Sequence, residues 1–324
     1  MKKLIFISSC IIFLIYACDK VDPPIWGCMD PLAINYDPAA TKDDESCESA
    51  CMDENASNYN PNATFACDSI NPSNDCCVYD SNCFDNIDTS NIIQKVLIED
   101  FTGHKCPNCP EAAEELHVIQ NTFPGRVIGM AIHAGFFAKP NASEAPFLTT
   151  DFRTDQGTEI HDRFNPEFYP IGLINRIDFD NNHLKQFAEW GTITSDLLNN
   201  DPKLGICIQE NSGMIGVSIL ALENLGSDLK LVIAITEDNI IDWQIIEGQG
   251  NVQDYEHNHV LRDVITPAFG DEIGSFDSQE VKTFNFSYEL NSSWIRENCN
   301  IIAYVFRDNN NNQEVLQVEE LHLE

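Results

Sequence analysis

The stretch Val96-Leu97-Ile98-Glu99-Asp100-Phe101-Thr102-Gly103-His104-Lys105-Cys106-Pro107-Asn108-Cys109-Pro110 decides the reading of this chain. Its first half is an apolar run of strand length. Its second half is a Cys-x-x-Cys followed, from Pro107 to Thr122, by a helical pattern. Ala112, Ala113, Leu116 and Ile119 give that helix an apolar face, and Pro107 suits a first helical position, where no amide donor is missed. The spacing therefore sets two sulfurs at a helix N-terminus. A thiol must lose its proton to act as a nucleophile, and lowering its pKa from about 8.5 to about 6.5 takes roughly 2.7 kcal/mol. A helix N-terminus typically supplies about 0.3–1 kcal/mol, or up to about 2 when partly buried. Lys105 and His104 add neighbouring positive charge.

Outward from this stretch, Val127 to His133 and Leu173 to Phe179 read as strands and Asn182 to Asn199 as a helix. Strands alternating with helices argue an α/β unit over 92–201. A strand, a Cys-x-x-Cys helix and a later Tyr169-Pro170 step resemble the thioredoxin fold. That resemblance makes Cys106 the nucleophile, Cys109 the resolving thiol, Asp100 the proton acceptor for Cys109, and Pro170 a cis proline facing the sulfurs. The usual Trp before the motif is replaced by Thr102-Gly103-His104-Lys105, and the long gap from Cys109 to Pro170 implies an insertion around Phe136 to Asp162. On residues alone, three readings of the pair stay open: a redox-competent couple, a structural disulfide, and half of a zinc site that lacks a second close Cys pair.

From Pro202 the pattern changes to short alternating runs: Lys203 to Glu210, Met214 to Leu222, Leu229 to Thr236, Val281 to Tyr288, Ile301 to Arg307 and Glu314 to Glu319. These predict an all-β, immunoglobulin-like antiparallel sandwich of seven or eight strands over 202–324. Cys207 and Cys299 lie near strands that could face each other, so they are expected to pair, which leaves Cys83 over. His257 and His259, two apart on a strand, share a face as two metal ligands would, or as a packing motif would.

Toward the N-terminus, Lys2-Lys3 precedes an apolar run from Leu4 to Tyr16, too short for a comfortable membrane span. It ends Ala17-Cys18. Residues 1–17 read as a lipoprotein signal peptide and Cys18 as the lipidation site, with a plain secretory signal as the alternative. The mature protein is then lipid-anchored and otherwise soluble, facing periplasm or surface. Of 13 cysteines, eleven then remain, a density that outside the cytoplasm means disulfides.

Residues 18–91 form an acidic, Cys-rich stretch and linker. Two imperfect copies run from Cys28-Met29-Asp30-Pro31 to Cys47 and from Cys51-Met52-Asp53-Glu54 to Cys77, so Cys28–Cys47 and Cys51–Cys77 are expected pairs, with Cys67 and Cys76 as a third. Closing a loop of this length stabilises by roughly 3 kcal/mol in the chain-entropy model. Asp30, Asn35, Asp37 and Asp43 offer oxygens that suit Ca²⁺, or serve turns and solubility. The chain carries 52 acidic and 18 basic residues, which argues against nucleic acid as a partner.

The opening stretch, with Ile132-His133-Ala134-Gly135, Asp151-Phe152-Arg153-Thr154, Tyr169-Pro170-Ile171-Gly172, Asn175-Arg176 and His257-Asn258-His259-Val260-Leu261-Arg262, resembles the Omp28-related outer-membrane lipoproteins over about Lys95 to Glu324. The resemblance implies a thioredoxin-like domain, a β-sandwich and an outer-membrane address. Two functions follow as expectations. One is a membrane-anchored protein that exchanges disulfides with partner thiols. The other is a surface binding or adhesion protein whose Cys pair is a static staple and whose sandwich or repeats hold surface ligands.

Overall fold

The computed structural model describes residues 24–29, 37–44, 84 and 91–324, apart from 180, 212, 310 and 311. It divides into two compact units, 1–80 and 81–324. In the first, Trp26 bridges Lys42, whose ammonium lies 4.0 Å from the indole centroid. Cys28 is buried and disulfide-bonded. Asp37 accepts from the Ala39 amide at 2.8 Å, as a turn residue does, and Asp43 is exposed. Cys18, Asp30, Asn35, Cys47, Cys51, Cys67, Cys76 and Cys77 lie outside the described residues.

In the second unit the elements run β1 (Val96–Thr102), α1 (Cys109–Thr122), β2 (Val127–His133), the single turn α2 (Gly135–Ala138), α3 (Asp155–Phe164), β3 (Ile171–Ile174) and α4 (Phe187–Leu197). Then come β4 (Leu204–Asn211), β5 (Met214–Ala221), β6 (Leu229–Glu237), β7 (Ile240–Ile246), β8 (Gly250–His257), β9 (Val260–Val264), β10 (Asp271–Glu272), β11 (Val281–Ser287), β12 (Cys299–Arg307) and β13 (Val315–His322).

One eight-stranded sheet carries the order β13-β12-β6-β9-β2-β1-β3, with β10 on β6. β1 and β2 are parallel, β1 and β3 antiparallel. Every residue of β1 and β2 is buried. Both faces of these strands are covered, which is why they read as continuous apolar runs without alternation. Val96, Ile98 and Val127 pack under Ala112, Leu116 and Ile119 of α1 and Trp190 of α4. The other face, with Leu97, Phe101, Met130 and Ile132, joins Val232, Ala234, Ile302, Tyr304 and Val318 in a single core. Strands from opposite ends of the order share that core, so the sheet must curl onto itself. Asn175 closes the curl: its side chain accepts from the Leu97 amide at 2.7 Å, and its carbonyl accepts from Val315 at 2.8 Å.

At the centre of the curl lies a fully buried ion pair. Arg176 donates to both Glu99 oxygens at 2.6 and 2.7 Å and to the Tyr304 hydroxyl at 2.8 Å. Its guanidinium sits 5.0–5.1 Å from the ring centroids of Phe164, Tyr304 and Phe306. The charge is thus paired, hydrogen-bonded and stacked, the conditions under which a buried ion pair is tolerated.

The three-stranded sheet β11-β5-β4 packs on the remaining face, where Ile206, Ile208, Val217 and Ile219 meet Ile233, Ile235, Ile301, Ala303 and Val305. Two layers of sheet therefore pack face to face. One of them, however, continues through β9, bridged to β2 at Ala131 and Val260, into the strands of 92–201. The chain is β-rich with several sheets, and among the described residues ten strands rather than seven or eight fall in 202–324.

Cys207 and Cys299 are not partners. Cys207 is disulfide-bonded, whereas Cys299 is a free thiol. The two-residue period of a strand explains it: Ile206 and Ile208 point into the inter-sheet core, so Cys207 between them points out, while Cys299 points in.

The expected strand Leu173 to Phe179 also ends sooner, because Asn175, Arg176 and Asp178 adopt positive φ and turn the chain so that Arg176 can reach Glu99. The inserted segment contains α3, whose N-cap Thr154 accepts from the Gly157 amide at 2.8 Å.

Candidate functional site

β1 delivers Asp100 and then, through Gly103, the sulfur loop. A Cβ at Gly103 would lie 2.4–2.6 Å from backbone atoms of Phe137 and Ala138, so only glycine lets α2 approach this closely. Cys106 and Cys109 are disulfide-bonded, their Cα atoms 5.4 Å apart. Helix α1 begins two residues later than expected. Asn108 is the N-cap, Cys109 the first helical residue, and Pro110 rather than Pro107 occupies the first turn. Ala113 is exposed, not part of the buried face.

Both cysteines are buried, at 1% and 2% exposure. The cover is the β7–β8 hairpin, a two-stranded sheet whose existence went unread in the polar run Gly250-Asn251-Val252-Gln253-Asp254. It clamps the loop by backbone: the Ile245 amide donates to the His104 carbonyl at 2.9 Å and the Glu247 amide to the Pro107 carbonyl at 3.0 Å. The buried Gln244 side chain donates to the Cys106 carbonyl at 2.9 Å. Lys105 lies over the Phe136 ring, 4.9 Å from its centroid.

Beneath the helix a small cavity of about 30 Å³ is lined by Asp100, Cys109, His133, Gln244, Tyr255 and His257, among others. Such a volume holds about one water. Asp100 Oδ1, His133 Nδ1 and His257 Nε2 are buried there without a hydrogen-bond partner. Burial pushes the Asp100 carboxyl up to about 7, and the charge of His259 offsets this only in part. Burial also holds His133 well below the usual histidine range, with His257, His104 and Arg262 lowering it further. For His257, burial outweighs a backbone hydrogen bond at Trp243 and the charge of Asp242, bringing it to about 4. Both histidines are neutral at pH 7, and Asp100 is poised near that pH. The two rings lie 5.7 Å apart, and Phe152 packs against both, 5.0 Å from each.

Tyr169–Pro170 is cis, and Pro170 is buried. It immediately precedes β3, whose Ile171 pairs with Phe101, so Pro170 stands beside the end of β1 that leads into the sulfur loop. The Tyr169 hydroxyl donates to the Ala134 carbonyl at 3.2 Å. Asp100, Cys106, Cys109 and Pro170 thus gather at one end of the sheet.

His257 and His259 do not share a face. His257 ends β8 and lines the sulfur cavity, while His259, at φ 56°, turns the chain into β9. Its Nε2 meets Gln120 at 3.0 Å and its Nδ1 lies 3.2 Å from Asp238. Burial disfavours its charge, but the Asp238 carboxylate outweighs this and raises its pKa. The contribution of His133 and His257 to the sulfur cavity was not legible in the sequence. Neither lies near Cys106 along the chain, and only the β1–β2 register, with Thr102 opposite His133, brings one of them close.

A family model described as outer membrane protein Omp28 matches residues 158–324, just over half of the chain. The chain belongs to that family. Membership of the Omp28 family places it in the cell envelope. The match spans Pro170, the hairpin and all of β4 to β13, and begins after the sulfur loop. Among solved structures, HBP35 of Porphyromonas gingivalis is similar at 14% identity and TM-score 0.56, over 72% of this chain and 76% of that one. At that identity the likeness is one of fold. A protein of Agrobacterium tumefaciens matches at 15% identity, TM-score 0.47, over 71% and 95%. A domain of the outer membrane lipoprotein Omp28 from Porphyromonas gingivalis matches at 16% identity, TM-score 0.23, over 38% and 90%. No curated protein matches this chain.

Proposed function

We propose that this Omp28-family protein carries a thioredoxin-like unit whose Cys106–Cys109 pair exchanges disulfides with thiol partners in the envelope, and that Cys18 holds it on the outer membrane through lipid. The observation that carries the redox reading is Asp100. A carboxyl buried at 2% exposure, with an unpartnered oxygen and a pKa near 7, lines the same cavity as Cys109. A buried acid near neutrality is costly to keep for stability alone, and it is matched to proton transfer.

The exchange balances as follows. A partner thiolate attacks one sulfur of the Cys106–Cys109 bond, that bond breaks, and the other cysteine leaves as a thiolate. Asp100, when protonated, supplies its proton if the leaving group is Cys109. The partner's second thiolate then attacks the mixed disulfide, leaving a partner disulfide and the reduced pair. Run backwards, the partner is reduced and Asp100 accepts the proton.

Burial of both sulfurs under the β7–β8 hairpin favours a second reading, a static staple in a surface binding or adhesion protein. Equilibrating the protein with glutathione buffers separates them. A reduction potential between about −270 and −120 mV, the span of dedicated oxidoreductases, supports exchange. A couple below about −300 mV that resists reduction in the folded state overturns it.

A further inference from the structure

Between α1 and the β7–β8 hairpin runs an open groove of about 960 Å³. Its walls carry Glu111 and Glu114 from α1, Glu256 from β8, and Asp238 from the turn after β6. Among the described residues no lysine or arginine lines it, and its one basic neighbour with a raised pKa, His259, is paired with Asp238 at 3.2 Å. Glu111 is accounted for by the helix N-terminus, where negative charge is favourable. Glu114 and Glu256 have no such reason, and among the described residues neither takes part in an ion pair.

The floor adds a second, independent observation. Asp100, 2% exposed and with Oδ1 unpartnered, lines this groove and also the small cavity at Cys109. Pro110, Ala113, Tyr255 and Asn258 are shared by both spaces as well. The groove therefore abuts the small cavity beside Cys109, and its exposed carboxylates Glu111, Glu114 and Glu256 stand at that approach.

We infer that this groove seats a positively charged segment of the thiol partner, so that the proteins exchanging disulfides with Cys106–Cys109 carry lysine or arginine beside their reacting cysteine. The inference rests on the redox reading above and names its substrate class. Each carboxylate about 6 Å from a unit charge in water enriches the cation roughly threefold, and salt reduces the effect within a Debye length of about 10 Å at 0.1 M.

The test uses the full oxidised chain and three small thiols: cysteamine (cationic), 2-mercaptoethanol (neutral) and 3-mercaptopropionate (anionic). Rates of opening of Cys106–Cys109 are read by alkylation and mass spectrometry, expressed per thiolate and corrected for thiol basicity. The expected result is cysteamine fastest and 3-mercaptopropionate slowest, by roughly tenfold or more at low salt for several carboxylates acting together, converging at high salt. The exposed pair Glu114→Gln with Glu256→Gln reduces that ratio several-fold. Glu223→Gln with Asp271→Asn, the same charge change far along the chain, leaves it intact. No charge preference, or a preference lost equally in both double variants, overturns the groove while leaving the redox reading standing. If the folded disulfide resists all three thiols, the redox reading itself fails and this inference falls with it.

Discussion

Replacing Asp100 by Asn stabilises the protein at alkaline pH and leaves it little changed in acid. The carboxyl has a folded pKa of about 7 against an ordinary 3.8. Its folded value is raised, so its contribution to stability is fully present below pH 3.8 and is lost as pH rises toward 7. Over that window the unfolded chain ionises the group while the folded protein must keep it protonated. A gap of about three units at about 1.4 kcal/mol each comes to about 4 kcal/mol by pH 7, with no further loss above it. The amide side chain that replaces the carboxyl does not titrate, so the stability of Asp100→Asn minus that of the parent rises by about this much between pH 4 and 7 and then stays flat. Urea unfolding of both oxidised proteins at pH 4, 5.5, 7 and 8.5 measures the difference, and changes elsewhere in the chain cancel. Parallel profiles would refute the reasoning, because they would mean that Asp100 keeps an ordinary pKa. The same variant reduces more slowly with dithiothreitol at pH 7, since the proton that Asp100 supplies to the departing sulfur is gone. Stability gained at the cost of reactivity is the signature expected of a functional buried acid.

Arg176→Met leaves Glu99 charged and unpaired in the core and costs about 3–5 kcal/mol in urea unfolding; the double variant with Glu99→Leu recovers most of it. Gln244→Ala removes the side-chain bond to the Cys106 carbonyl, costs about 1–3 kcal/mol, and speeds reduction of the disulfide by dithiothreitol at unchanged helix content. Cys299, pushed up to about 11 first by burial and then by Glu237, takes no iodoacetamide in the folded protein at pH 8 and is labelled fully in urea.

What the sequence disclosed, and what it withheld, follows from the range of the forces involved. β1, α1 and β2 were legible because local patterns determine them: buried strands read as apolar runs, and α1 repeats its apolar residues at helical spacing. Asp100 was legible by strand parity, which put it with Ile98 under α1 and Glu99 with Phe101 in the other core. The hairpin over the sulfurs was not legible. β8 is largely exposed, so it lacks the alternation that marks a half-buried strand, and its placement comes from backbone bonds to His104 and Pro107 that any sequence could make. The pairing of Cys207 with Cys299 failed on parity, where one residue decides which face a side chain takes. The continuous sheet was hidden for another reason: β2 and β9 touch through one bridge between residues 129 apart in sequence, and local signals carry no trace of it.

The clamp over the sulfur loop sets an order of events as the chain folds. Cys106 and Cys109 leave the ribosome well before residues 240–257, which later shut over them. An oxidant meeting the nascent chain reaches both thiols freely, whereas one arriving after maturation finds the door closed. Oxidation is therefore easiest before the hairpin docks, and any later turnover has to borrow its opportunity from a transient unlatching of that flap.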